Sequence, residues 1–143
     1  MLINPYLLTA VAAWLMAQIL KTILHLAIYR KLDFGRLFGD GGMPSGHSAT
    51  VSALAVICGL RLSFESTEFA ISTVLALIVC HDAMGVRWET GKQAKVLNEL
   101  RHYLETGDET DLKELVGHTP LQVVAGVILG ISVAVLMFYL VLR

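Results

Sequence analysis

The chain has 143 residues, of which 55% are hydrophobic and 16% charged, and its mean hydropathy is +0.66. Soluble domains are less apolar and closer to a quarter charged, so the composition indicates a membrane protein and excludes a disordered, collagenous or disulfide-stapled chain. Eleven Lys and Arg oppose twelve Asp and Glu, for a formal charge of -1, which offers nucleic acid no basic surface.

A helix needs about 20 mostly apolar residues to cross the hydrocarbon core. Four runs approach that length, at 6–29, 49–64, 69–86 and 120–142. The first is broken mainly by Lys21 and His25, and no Lys or Arg precedes it, so it is expected to be a retained span rather than a cleaved signal. The second is short and rich in small residues. The third carries His81 and Asp82 near its end. The fourth is uncharged as far as Leu142, and its Gly126 and Gly130 have the spacing that permits close helix approach. Cys58 and Cys80 lie inside apolar runs, where a thiol usually serves as a small hydrophobe.

With four spans, the connections at 30–48 and 87–119 face the same side. They hold Arg30, Lys31, Arg36, Arg87, Lys92, Lys95, Arg101 and Lys113, against Arg61 and Arg143 on the other side. The positive-inside rule places both loops in the cytoplasm. Within the second loop, Ala94, Leu97, Leu100 and Leu104 recur at helical spacing among Lys95, Glu99 and Arg101. They predict an amphipathic helix lying on the membrane or on the bundle, ended by Gly107 and the acidic run 108–111.

Three clusters carry chemistry. Gly41-Gly42-Met43-Pro44-Ser45-Gly46-His47-Ser48-Ala49-Thr50 leads into the second span. Glycines turn the backbone tightly and expose N–H groups, and a helix start adds unpaired donors at the positive end of the dipole, which suits a phosphate-like anion. Helix capping by Ser45 or Ser48 explains a serine, but not the grouping of Gly, Pro and His. Val116-Gly117-His118-Thr119-Pro120-Leu121-Gln122 opens the fourth span, with His118 and Gln122 on one helical face. His81-Asp82-Ala83-Met84-Gly85-Val86-Arg87 ends the third. Asp82 there needs a partner near the membrane, for which Arg87 and Lys21 are the candidates. Lys21 either snorkels to the headgroups or points into the bundle.

Pro44-Ser45-Gly46-His47 resembles the P-S-G-H signature of the type 2 phosphatidic acid phosphatases and the related vanadium-dependent haloperoxidases. Together with D-A-M-G-V-R, Q-A-K-V-L-N and G-H-T-P, it is similar to the small divergent branch of that superfamily, found in bacterial and plastid membranes. The resemblance implies His118 as nucleophile and His47 as general acid. It also implies Lys21, Ser45 and Gly46 as phosphate contacts, to which Arg87 could be added in space; Asp82 would support them. Three departures stand out. No Arg-Pro follows Lys21, Leu112 stands where the family has an arginine six residues before the nucleophile, and Gln122 replaces the aspartate four residues after it. In a serine-protease triad, changing the orienting Asp to its amide cost about 10⁴-fold in turnover, so Gln122 is expected to weaken His118.

The sequence therefore predicts one all-α domain over residues 1–143. It is an integral membrane bundle of about four transmembrane helices plus a cytoplasmic amphipathic helix, in a bacterial inner membrane. The expected function is a metal-free and cofactor-free phosphatase or phosphotransferase acting on a lipid phosphate or diphosphate through a phosphohistidine. The alternative is a non-catalytic lipid-phosphate binder or transporter that keeps the anion site. A haloperoxidase would need vanadate. Membrane lipids are expected partners, nucleic acid is not, and homo-oligomerisation stays open.

Overall fold

The computed structural model describes residues 4–30, 42–104, 111, 112, 114 and 116–141. They form five helices, α1 (Pro5–Tyr29), α2 (Gly46–Leu62), α3 (Thr67–Met84), α4 (Val86–Tyr103) and α5 (Pro120–Leu140). No strand occurs among the described residues. Each apolar helix starts at a polar cap. The Asn4 side chain accepts the N–H groups of Tyr6 and Leu7 at 2.9 and 3.2 Å, and Ser66 accepts that of Phe69. Thr119 and Gln122 form a reciprocal capping box, with Pro120 at the first helical position.

α2 is the centre of the bundle and packs on α1, α3 and α5. Its core is built from small side chains, with Ala13, Ala17, Ala49, Ala53 and Ala134 buried around Ile57. The large hydrophobics face outward, among them Leu15, Ile23, Leu77, Ile128 and Leu136. That distribution fits a bilayer, where lipid solvates large apolar side chains and helices associate through close backbone packing. The Gly126 and Gly130 pair behaves as its spacing suggests. A Cβ on Gly126 would collide with the Ser45 carbonyl, and one on Gly130 with the Ala49 carbonyl.

The helices α1 and α5 and the α3 segment are long and apolar enough to cross a membrane, whereas α2, at 17 residues, is a shorter apolar helix. The expectation of about four transmembrane helices, the second of them short, is thus met by three helices of membrane-crossing length around a shorter apolar central helix. Both cysteines are free thiols.

The predicted amphipathic helix is present as α4. α4 begins at Val86, directly after a break at Gly85, and reaches Tyr103. Gly107 and most of the acidic run lie outside the described residues. Its inward face is Gly91, Ala94 and Asn98, whereas Leu97, Leu100 and Leu104 are exposed. The apolar spacing therefore marks a face with no protein partner among the described residues, and the inward seam is made of small and polar residues.

Helix propensity alone predicts that Gly130→Ala stabilises α5 by about 1 kcal/mol. Here the added methyl meets the Ala49 and Ala53 backbone, which cannot rotate away. The expected outcome is a loss of about 1–3 kcal/mol, read as a lower thermal midpoint of the detergent-solubilised protein. A raised midpoint would show that α2 and α5 do not touch there.

Candidate functional site

The site is built where three chain segments meet at one end of the bundle. α2 contributes its first turn. Ser45 is the cap, its Oγ accepting the N–H and the hydroxyl of Ser48 at 3.3 and 3.0 Å, with both serines fully buried. Of the two capping candidates, Ser45 fills the role. The amides of Gly46 and His47 then open the helix at the positive end of its dipole. This loop is tied to the start of α5 by the Ser45 N–H, which donates to the Gln122 carbonyl at 3.0 Å.

The second segment is the break between α3 and α4. An uninterrupted helix would direct the Arg87 N–H at the Ala83 carbonyl. The chain stops at Gly85, and the Ala83 carbonyl accepts the His118 N–H instead, at 3.0 Å. Gly117 has φ +86°, and a Cβ there would collide with the Trp88 backbone N. Only glycine lets the chain preceding His118 lie this close to the break.

The third segment is the approach to His118. The two arms of the Asn98 amide act as a staple for it. Nδ2 donates to the Leu112 carbonyl and to Glu114, and Oδ1 accepts the Leu112 N–H, each at 2.9 Å. Gly91 leaves room for the backbone at Glu114 and Val116. Asn98 was not singled out in the sequence, although an Asn on the Gly91/Ala94 face of an amphipathic helix is a legible sign of a backbone partner.

These constraints bring the imidazoles of His47 and His118 to a centroid separation of 6.5 Å, tilted by 55°. Together with Asp82 and Arg87 they line one cavity of about 210 Å³. His118 is 2% exposed, and its Nδ1 lies 3.3 Å from Gln122 Oε1. The partner of Asp82 is Arg87, with Nε 2.7 Å from Oδ2, and both side chains are part-exposed at 39% and 48%. An ion pair this open contributes little to stability, so its main structural effect is to orient the guanidinium along the cavity.

Lys21 is 7% exposed and belongs to the bundle interior rather than the headgroup region. It continues the buried stripe of Ala10, Ala13 and Ala17 at helical spacing, and that stripe is the face α1 turns to α2. Its Nζ lies 3.9 Å from the point where a Gly46 side chain would begin. Lys21 is therefore beside the first turn of α2, although it does not line the cavity of the two imidazoles. Among the described residues, no three His, Cys, Asp or Glu side chains are grouped as a metal site.

Fold and site define a helical integral membrane protein with an imidazole pair beside a capped, glycine-containing helix start. The chain belongs to the Divergent PAP2 family, whose model matches residues 2–133. It is 37% identical over 153 aligned residues, covering 97% of each chain, to the protein described as uncharacterized membrane protein YuiD of Bacillus subtilis (strain 168). No solved structure matches it.

Asn98→Ala removes three hydrogen bonds from the segment that leads to His118. Their net worth is about 1 kcal/mol, because Leu112 and Glu114 are exposed and water replaces the lost partner there. The expected result is markedly faster hydrogen exchange at the Leu112 amide, with the amides at the centre of α2 unchanged. Equal acceleration throughout would mean that Asn98 supports the whole bundle rather than this segment.

Proposed function

We propose that this protein is a membrane phosphatase or phosphotransferase that transfers the phosphoryl group of a lipid phosphate or diphosphate at the cytoplasmic face of a bacterial inner membrane. The observation that carries the reading is the pair of imidazoles 6.5 Å apart, sharing a cavity with Arg87 at the N-terminus of α2. That separation is of the size of one tetrahedral anion. It allows one ring to touch phosphorus while the other reaches the leaving oxygen.

In this mechanism, a ring nitrogen of His118 attacks phosphorus and forms the P–N bond as the P–O bond to the lipid breaks. His47 gives its proton to the departing oxygen. Water then attacks the phosphohistidine, His47 accepts the water proton, and the P–N bond breaks to release phosphate and restore His118. Arg87, Lys21 and the amides at Gly46 and His47 offset the charge on the equatorial oxygens, with Ser45 holding that loop closed.

Support for a lipid rather than a soluble phosphate ester comes from an apolar groove of about 340 Å³ between α2, α3 and α5. It is lined by Ala76, Leu77 and Cys80 on α3, and Val79 and Ala83 of the polar cavity lie about one helical turn further along. A chain in the groove would therefore lead toward a phosphate in the cavity.

The second reading is a binder or transporter using the same anion site, favoured by Leu112 and Gln122 at the positions where the family carries Arg and Asp. Purified protein assayed on lipid phosphates and diphosphates separates the two. His118→Ala is expected to abolish turnover while leaving anion binding largely intact, because its contribution arises in the transition state. Lys21→Met is expected to weaken binding and turnover together. A wild type that binds anions and is inert on every lipid phosphate would select the binder.

Orientation is tested separately by cysteines introduced at 30–48 and 87–119, which membrane-impermeant reagents should fail to label in intact cells. Labelling of either loop from outside would reverse the proposed sidedness.

A further inference from the structure

We infer that Gln122 is a positioning residue that holds the neutral His118 ring in its Nδ1–H form, using the capping geometry of α5 to do so. The inference rests on the proposed nucleophilic role of His118 for its functional meaning, but not for its structural content.

The argument begins with the identity of one atom. The Thr119 backbone N–H, which can only donate, points at Gln122 Oε1 at 3.1 Å. A flipped amide would set an NH₂ group against that N–H, so the cap itself decides which end of the Gln122 amide is oxygen. The reciprocal bond, from the Gln122 N–H to Thr119 Oγ1 at 3.3 Å, completes the box. The same Oε1 lies 3.3 Å from His118 Nδ1. An amide oxygen only accepts, so the proton on the neutral ring belongs on Nδ1 and the lone pair on Nε2. At 3.3 Å the contact is slightly longer than a usual N–H···O bond, as expected where one oxygen serves two donors.

The pose has further anchors. The His118 N–H is held by the Ala83 carbonyl, and the ring is almost wholly buried. The Gln122 carbonyl accepts the Ser45 N–H, so the residue that orients His118 also fixes the loop that presents His47. In a serine-protease triad, an amide in place of the orienting carboxylate leaves the histidine in the wrong tautomer. Here the cap denies the amide that choice. What the amide lacks is the negative charge that would stabilise an imidazolium.

The test uses full-length protein with ¹⁵N-labelled histidine in detergent micelles. Long-range ¹H–¹⁵N spectra are recorded at a pH where the ring is neutral, and the His118 signals are assigned by their loss in His118→Ala. Wild type is expected to show a protonated Nδ1 and a lone-pair Nε2. Gln122→Glu keeps a capping-box oxygen and should keep that pattern. Gln122→Leu removes the oxygen and should return the ring to the Nε2–H form that free histidine favours, with kcat lower by about 10²–10⁴-fold and KM changed less.

A predominant Nε2–H form in wild type overturns the inference, and that reading needs no variant to fold. An Nδ1–H form that survives in folded Gln122→Leu also overturns it, because Gln122 would then be a helix cap and nothing more. An Nδ1–H wild type that responds to Gln122→Leu but hydrolyses no lipid phosphate upholds the positioning role and rejects the phosphatase.

Discussion

The close approach of α5 to α2 is the contact on which the rest of the site depends. Gly126 and Gly130 bring the α5 backbone against the carbonyls of Ser45 and Ala49, where any side chain would collide. At that distance the Ser45 N–H reaches the Gln122 carbonyl, and the first turns of two helices are locked side by side. His47 lies in the first turn of α2, and His118 stands two residues ahead of Pro120, where α5 begins. The separation of His47 from His118 is therefore set by backbone packing, which is stiffer than a pairing of long side chains.

The second constraint is the interruption of the helix just after Asp82, between α3 and α4. Gly85 ends α3 before the next intrahelical bond can form, and the Ala83 carbonyl becomes an acceptor for the chain arriving from 116–118. The same break turns Arg87 toward Asp82 and into the cavity. A helix that continued straight would offer that chain no carbonyl to bind. The break is thus the docking point that completes the site from its third side.

Much of this was legible in the sequence, and what was not had physical causes. The helical membrane class followed from composition and from runs of apolar residues, and the bundle has it. The glycine spacing in the fourth span correctly marked a close approach, because that motif encodes backbone distance directly. The partner helix and the carbonyls it would meet were not readable, since spacing on one helix says nothing about register on another. The spacing of Leu97, Leu100 and Leu104 marked the amphipathic helix that α4 is, but left its placement on the membrane or on the bundle open, because periodicity reports an apolar face without saying what covers it. Asn98 on the Gly91/Ala94 face was legible as a polar seam residue, but which backbone it would bind was not, because its partners lie 14 and 16 residues away. For Lys21 the two sequence readings were balanced, and the deciding fact was its place on the Ala10/Ala13/Ala17 stripe, a pattern that only matters once α2 is known to lie against it.

The departures from the family pattern acquire a common logic when they are placed in space. Leu112 occupies the position of a family arginine, yet its backbone N–H and carbonyl are both taken by Asn98, so this stretch serves as a strap against α4. Among the described residues, the cation that lines the cavity is Arg87, supplied by the first turn of α4 and oriented by Asp82 across the helix break. Gln122 stands where an aspartate is expected, at a helix start that already holds its side-chain oxygen in place through the Thr119 N–H. A carboxylate at that point would add charge next to His118, and since the arginine that lines the cavity among the described residues is already paired with Asp82, the added charge would work against the anion of the proposed function. On the proposed reading, an amide would orient the ring without repelling a phosphate. On the proposed phosphate chemistry the two substitutions are compatible with one another, because a site that lacks the arginine at position 112 gains from lacking the carboxylate at position 122 as well.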